Sequence, residues 1–179
     1  MTTELMQSPI EGEFMNTKKT VILGLYATLS LAVYAAESAL PPLAPIPGFK
    51  LGLANIITLI LLRRHTAKDA ALVLAVRILL SAMLFGQLLS LLYSLTGGIL
   101  SLLVMWAVNR VLQKKLLPIT GAMGGLTHNT GQLFVAFLVT STSGVFTYLP
   151  LLLPAGILTG LFTGLCAWMT DKYLPRQTA

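Results

Sequence analysis

The sequence is poor in charged residues, in acids above all, and it contains a single cysteine. Of 179 residues, 10% are charged and 55% are hydrophobic. A soluble domain carries about 25% charged residues, so this composition excludes one and indicates a small polytopic membrane protein. Cys166 is alone, which excludes a disulfide framework and a thiolate metal site within the chain.

Acids are scarcer still in the part of the chain that is expected to fold. The polar segment 1–14 contains half of the six acids and precedes a further methionine, Met15, and we interpret it as an added, disordered leader. The other acids are scattered: Glu37, Asp69 and Asp171. Diphosphate chemistry uses clustered carboxylates to hold magnesium, so this distribution argues against an enzyme. The chain also lacks a Gly-rich phosphate loop ending in Lys-Ser/Thr and an HExxH motif, so we expect no ATP hydrolysis, catalytic residue, metal or cofactor.

Long apolar runs predict an all-α membrane protein with six transmembrane helices in one domain, residues 15–175, and a short tail, 176–179. The expected spans are 20–40, 50–63, 69–91, 95–112, 118–140 and 147–170. A break at Ser94–Gly98 is expected to separate the third span from the fourth. The second span is shorter than a hydrocarbon core of about 30 Å unless the preceding loop is partly embedded.

The basic residues predict the orientation. Six spans place both termini on one side, and of the twelve Lys and Arg residues only Lys50 falls on the other side, with Arg77 inside the membrane. This positive-inside pattern predicts cytoplasmic termini in a bacterial plasma membrane. The high pI therefore reflects topology rather than nucleic-acid binding. His65 lies in a basic loop, where we expect it to be solvated.

The first span carries small residues at every fourth position: Gly24, Thr28, Ala32 and Ala36. Such a stripe allows close helix contact, either within the bundle or with a partner. Glu37 follows near the outer end, where it is either solvated or paired with a base or substrate.

A proline-rich connection, 41–50, joins the first two spans. Its four prolines forbid a helix, so a stiff lid or plug at the mouth of the bundle is expected. Lys50 either snorkels to the interface or reaches an anionic ligand. Asn55 either bridges helices or faces the same cavity as His128.

The third span contains Arg77, which either snorkels or faces inward to bind a carboxylate or phosphate, or to pair with Glu37. Gln87, further along, is again polar within an apolar run.

The fifth span carries the densest polar group of the sequence. Gly121, Gly125, His128 and Gln132 fall along one helical face, with Asn129 beside them. One interpretation is helix packing, in which glycines permit close approach and polar side chains bond across helices. The other is a ligand-binding wall. The sixth span adds a further glycine stripe, Gly156, Gly160 and Gly164.

We hypothesise that the inward-facing polar groups converge on a positively charged cavity for a small polar or anionic substrate. The candidate substrate-binding residues are Glu37, Lys50, Asn55, Arg77, Gln87, His128, Asn129 and Gln132.

Three features carry a family resemblance: the segment Pro47-Gly-Phe-Lys-Leu-Gly-Leu-Ala-Asn-Ile56, Arg77, and the segment Gly125-Leu-Thr-His-Asn-Thr-Gly-Gln132. With them, nearly all of 15–175 resembles the bacterial "Gx transporter" or heptaprenyl diphosphate synthase component I family. That family is similar to the substrate-binding S components of energy-coupling factor (ECF) transporters.

The resemblance implies a six-helix S component for uptake of a vitamin-like or precursor molecule. It further implies that the small-residue stripe docks on a transmembrane coupling subunit, that two partner ATPases drive transport, and that 41–50 is the lid. The family's other label implies a non-catalytic membrane accessory of prenyl diphosphate or quinone precursor synthesis, or an isoprenoid-binding protein in contact with membrane lipid.

Overall fold

The computed structural model describes residues 9–40, 50–85, 88–112 and 116–174, with side chains from residue 17 onward. Within these ranges every regular element is helical, which confirms the all-α class. The helices are α1 (Pro9–Ser38), α2 (Asn55–Arg64), α3 (Ala67–Phe85), α4 (Leu88–Val111), α5 (Leu117–Thr140) and α6 (Leu149–Tyr173). A short 3-10 helix, Ser143–Tyr148, connects α5 to α6.

Three helical segments of the described chain are long and apolar enough to cross a membrane: Thr17–Ser38, Leu88–Val111 and Ser143–Tyr173. At about 1.5 Å per residue, each exceeds a hydrocarbon core of about 30 Å. The chain is therefore a helical, membrane-associated protein.

Two expected boundaries are wrong. Residues 94–98 do not separate two helices but lie inside α4, since α3 ends at Phe85 and α4 begins at Leu88. In hydrocarbon no water is available to bond a broken backbone, so the helix continues through Gly97 and Gly98. At the other boundary, α1 begins at Pro9, so residues 9–14, expected to be disordered, are helical.

The shortest helix, α2, lies at the centre of the bundle and contacts all five other α-helices. Its ten residues extend about 15 Å, too little to cross a bilayer. The segment before it, 50–54, continues into the interior, where Gly52 and Ala54 are buried. The first residues of the expected second span, 50–54, thus precede the helix itself, and the loop 41–49 lies outside the described residues.

Helices α5 and α6 pack backbone to backbone through glycines. A Cβ atom added at Gly156 would lie 2.7 Å from the carbonyl oxygen of Gly125, and one added at Gly164 would lie 2.5 Å from that of Leu117. Real Cβ atoms do not come so close to backbone atoms, so only glycine permits this spacing. The packing interpretation of the two glycine stripes is confirmed.

Ion pairs join helices at one end of the bundle, which we call the basic end. Arg63 Nε lies 2.7 Å from Asp171 Oδ2, and Lys19 Nζ lies 2.8 Å from Asp69 Oδ1. Asp69 also accepts a hydrogen bond from the hydroxyl of Thr66, which in turn accepts from the Asp69 backbone N–H. This reciprocal capping box fixes the start of α3.

His65 is also at the basic end, and the expectation that it is simply solvated is wrong. Its ring is half-buried and meets Tyr26 edge-on, with ring centroids 5.6 Å apart. Burial lowers the pKa of His65, and the nearby cations Lys19 and Arg64 lower it further, against the opposing effect of Asp69.

Candidate functional site

Glu37, in the last turn of α1, is buried and anchors the start of α2. Its carboxylate accepts hydrogen bonds from the backbone N–H groups of Gly52 (2.7 Å) and Leu53 (2.9 Å). These groups precede the first turn of α2, where the helix dipole favours a negative charge. Glu37 is therefore buried rather than solvated, forms no ion pair with any described residue, and has as its partner the backbone of the segment before α2.

Gly52, in the segment before α2, lies next to side chains of two helices, α2 and α5. Its φ of +81° lies in the left-handed region, which disfavours any residue with a Cβ. An added Cβ would also lie 2.6 Å from His128 Cδ2 and 3.0 Å from Asn55 Nδ2. Asn55 of α2 and His128 of α5 therefore lie side by side against Gly52.

Gln132 connects α5 to the same segment. Its side-chain oxygen accepts from the backbone N–H of Lys50 at 3.1 Å, and its amide nitrogen lies 2.9 Å from His128 Nε2. Because an amide nitrogen only donates, Nε2 of His128 is the acceptor and the imidazole is held as the neutral tautomer protonated on Nδ1. That nitrogen lies against Gly97 of α4.

Tyr34, which the sequence reasoning missed, lies between the two cations of the site. Lys50 Nζ is 3.5 Å from the centroid of its ring, and Arg77 Cζ is 5.6 Å from the same centroid. Its hydroxyl shares a 2.8 Å hydrogen bond with Ser90. The face of an aromatic ring attracts cations, so Tyr34 holds both side chains at this end. Tyr34 lies one helical turn before Glu37, and this spacing could have predicted that the two side chains share a face of α1.

Arg77 is buried within the bundle, so the snorkelling interpretation is wrong. Its guanidinium is close enough to Glu37 and Tyr34 to interact electrostatically with both. Arg77 and Glu37, which both lie within the described chain, nevertheless form no ion pair. The carboxylate oxygens of Glu37 are already engaged by backbone N–H groups. One guanidinium nitrogen, Nη2, is buried and has no hydrogen-bond partner in the described part of the chain.

Asn129 lies elsewhere. Its amide nitrogen donates to the carbonyl of Leu152 at 2.8 Å, near Pro154 inside α6. Asn129 therefore bonds α5 to α6, in keeping with the packing interpretation. Gln87 and the expected lid residues 41–49 lie outside the described residues.

Six of the expected residues thus meet at the end of the bundle opposite the basic end, and Tyr34 joins them. We call this set the polar core: Tyr34, Glu37, Lys50, Asn55, Arg77, His128 and Gln132. It contains two cationic side chains and one carboxylate, so its charge is positive overall.

The small-residue stripe of α1 lies on the outer surface. All four residues are exposed: Gly24, Thr28, Ala32 and Ala36. A Cβ added at Gly24 would meet no atom within 4 Å. Within the described structure, α1 packs on α2 and α3 and reaches α4 through the hydrogen bond between Tyr34 and Ser90, all through its other face. The stripe therefore makes no close helix contact inside this bundle.

Comparison with known proteins gives a family match. The family model described as heptaprenyl diphosphate synthase component I matches residues 26–170, which include the whole polar core. No curated protein and no solved structure matches the chain. Since the model covers most of the sequence, the chain belongs to the heptaprenyl diphosphate synthase component I family.

Proposed function

We propose that the chain is the substrate-binding S component of an ECF-type uptake transporter in the bacterial plasma membrane. The observation that carries the proposal is the polar core, a buried and positively charged group at one end of a hydrophobic bundle. Ionisable residues at membrane depth are costly and mark substrate paths. A binding site for a small polar or anionic molecule accounts for their presence.

In this proposal the six membrane spans are α1 to α6, the second formed by α2 together with the segment 50–54 before it, and the basic end is cytoplasmic, as are both termini. Aromatic and basic side chains at that end support the orientation. The guanidinium of Arg110 lies 4.5 Å from the ring centroid of Trp106, and Lys172 Nζ lies 5.0 Å from that of Trp168. Such pairs are typical of helix ends at a membrane interface.

The exposed stripe of α1 supports a docking role. Small side chains let a second helix approach closely, and nothing in the described bundle covers them. Ala36 of the stripe immediately precedes Glu37, whose carboxylate holds the segment over the polar core. A coupling subunit bound to this face of α1 would thus contact the helix that closes the site, and two partner ATPases would supply the energy.

Co-purification tests the proposal. The chain is expressed with the host's ECF coupling subunit and ATPases and purified in mild detergent. We expect a stoichiometric complex that the double variant Ala32→Leu/Ala36→Leu loses. The matched control Ala107→Leu, an equally exposed alanine on α4, keeps it. Absence of any complex, or a complex that the double variant retains, contradicts the proposal.

The family description favours a second candidate: a non-catalytic membrane accessory of prenyl diphosphate or quinone precursor synthesis, or an isoprenoid-binding protein. With only three scattered acids beyond residue 14, the chain would bind such molecules rather than make them. Mass spectrometry of the organic extract of the purified protein tests this candidate. A retained prenyl species, with no ECF complex, would support it over transport.

A further inference from the structure

We propose that the ligand of the polar core carries a single negative charge, that of a carboxylate, and that Arg77 and Asn55 donate the hydrogen bonds that recognise it. The proposal rests on the proposed substrate-binding function and names the chemical class of the ligand. It assigns a molecule with one carboxylate on a neutral body, and it excludes prenyl diphosphates.

The first argument is the kind of atom left without a partner. In the polar core, Asn55 Nδ2, Arg77 Nη2 and His128 Nδ1 are buried nitrogen atoms with no hydrogen-bond acceptor among the described residues. Buried polar groups are ordinarily paired, so such atoms need an explanation. All three are N–H donors, since His128 is protonated on Nδ1, and Arg has no acceptor at all. The group that completes them must be an acceptor.

The second argument is their placement around one ring. An added Cβ at Gly52 would lie 3.0 Å from Asn55 Nδ2 and 2.6 Å from His128 Cδ2. On α4, a Cβ at Gly97 would lie 2.9 Å from His128 Nδ1, and one at Gly98 would lie 3.6 Å from Arg77 Nη2. The His128 imidazole therefore contacts Gly52, which lies beside Asn55, and Gly97, whose neighbour in the chain, Gly98, lies beside Arg77. The two donors are thus placed around one ring, next to positions that carry no side chain.

The third argument is charge. Lys50 and Arg77 are the cations of the polar core, and Glu37 supplies one negative charge that its two backbone hydrogen bonds stabilise. His128 is neutral because its Nε2 accepts from Gln132. One positive charge is left over, which a single carboxylate neutralises.

A diphosphate would bring a larger charge than this site balances. Magnesium normally offsets such charge and is held by carboxylates. The other two acids beyond residue 14, Asp69 and Asp171, are engaged with Lys19 and Arg63 at the basic end. A carboxylate needs no metal, and its two oxygens can accept separately from the guanidinium and the amide.

Thermal unfolding of the purified full chain in detergent tests the proposal with four probes: benzoate, benzamide, pyrophosphate and geranyl diphosphate. We expect benzoate to raise the unfolding temperature and to bind about tenfold more tightly than benzamide, its neutral counterpart, because hydrogen bonds to a charged group are the stronger ones. Arg77→Gln should weaken benzoate binding about tenfold or more, whereas Arg110→Gln, at the basic end, should not.

Asn55→Asp provides a second test if Arg77→Gln does not fold. It preserves size but replaces the donor with a carboxylate, so it should weaken the binding of benzoate, which it repels, far more than the binding of neutral benzamide. Equal binding of benzoate and benzamide, no response to benzoate, or tighter Arg77-dependent binding of either diphosphate overturns the proposal. The co-purification assay decides transport independently. A benzoate response without an ECF complex refutes only transport, and a complex with a diphosphate response refutes only the ligand class.

Discussion

Replacing Gly164 by alanine provides a direct test of the contact between α5 and α6. The added Cβ would lie 2.5 Å from the carbonyl oxygen of Leu117 and 2.5 Å from Cα of Pro118. Both are backbone atoms of the first turn of α5, which cannot rotate out of the way as a side chain would. Ordinary contact begins near 3.4 Å, so the two helices must separate locally by about 0.9 Å, the difference between the two distances.

The cost follows from this separation. Overpacking a tight interface costs about 1–3 kcal/mol. Replacing a helical glycine by alanine also stabilises the folded protein by about 0.5–1 kcal/mol, because the unfolded chain has less conformational freedom. Gly164→Ala should therefore lower the free energy of unfolding by about 1–2 kcal/mol. The matched variant is Gly24→Ala on α1, whose Cβ meets no atom within 4 Å, so only the gain of about 0.5–1 kcal/mol applies.

Unfolding of the purified protein by sodium dodecyl sulfate in mixed micelles, followed by circular dichroism at a helical wavelength, measures both variants. The expected result is a pair of shifts of opposite sign, Gly164→Ala to lower and Gly24→Ala to higher detergent fraction. If Gly164→Ala is as stable as the parent or more stable, the close packing of α5 on α6 is refuted. If Gly24→Ala is destabilised instead, the exposed stripe is in contact with something, and the description of α1 as open on that face is wrong.

Three further outcomes follow from the site and the basic end. Glu37→Gln should cost about 1.5–3 kcal/mol in the same unfolding assay, because a side-chain amide has one acceptor oxygen for two backbone N–H groups; an unchanged free energy would mean that these bonds do not stabilise the fold. Gly52→Ala should cost at least about 1 kcal/mol, since its backbone is left-handed, and should abolish the benzoate response by displacing His128; unaltered binding would contradict the placement of the ring. The pKa of His65 is lowered on folding, so its contribution to the free energy of unfolding is fully present above its unfolded pKa of about 6.5 and is lost as pH falls from there through the lower folded value. His65→Gln should therefore flatten the pH dependence of unfolding in that window. Parallel curves for parent and variant would refute the assignment.

Much of the fold could be read from composition and spacing. The small number of charges and the long apolar runs indicated a helical membrane protein, and six α-helices are present in the described chain. The four-residue spacing of Gly156, Gly160 and Gly164 predicted close helix packing, and the backbone of α5 lies against them. The prediction that the loop before the short second span is embedded stays a prediction, because residues 41–49 lie outside the described residues.

The errors came from applying rules of water-soluble chains to a membrane interior. A Ser-Leu-Thr-Gly-Gly sequence marks a turn in water, where free backbone groups are hydrated. In α4 the same residues stay helical, and their glycines accommodate His128 and Arg77 instead. Likewise, a carboxylate near a helix end was expected to meet water or a base, but Glu37 meets two backbone N–H groups.

The sequence by itself determined which residues are polar at membrane depth and roughly how far each lies from a helix end. Hydropathy and the 3.6-residue period depend only on the order of residues along the chain, so the sequence alone contains this information. Tertiary structure alone decided which of these residues meet. Tyr34 lies between Lys50 and Arg77, and Asn129 faces α6 rather than the polar core, because these contacts depend on the rotation of each helix about its axis. That rotation is set by packing among helices far apart in the chain, above all by the glycines that hold α5 against α6.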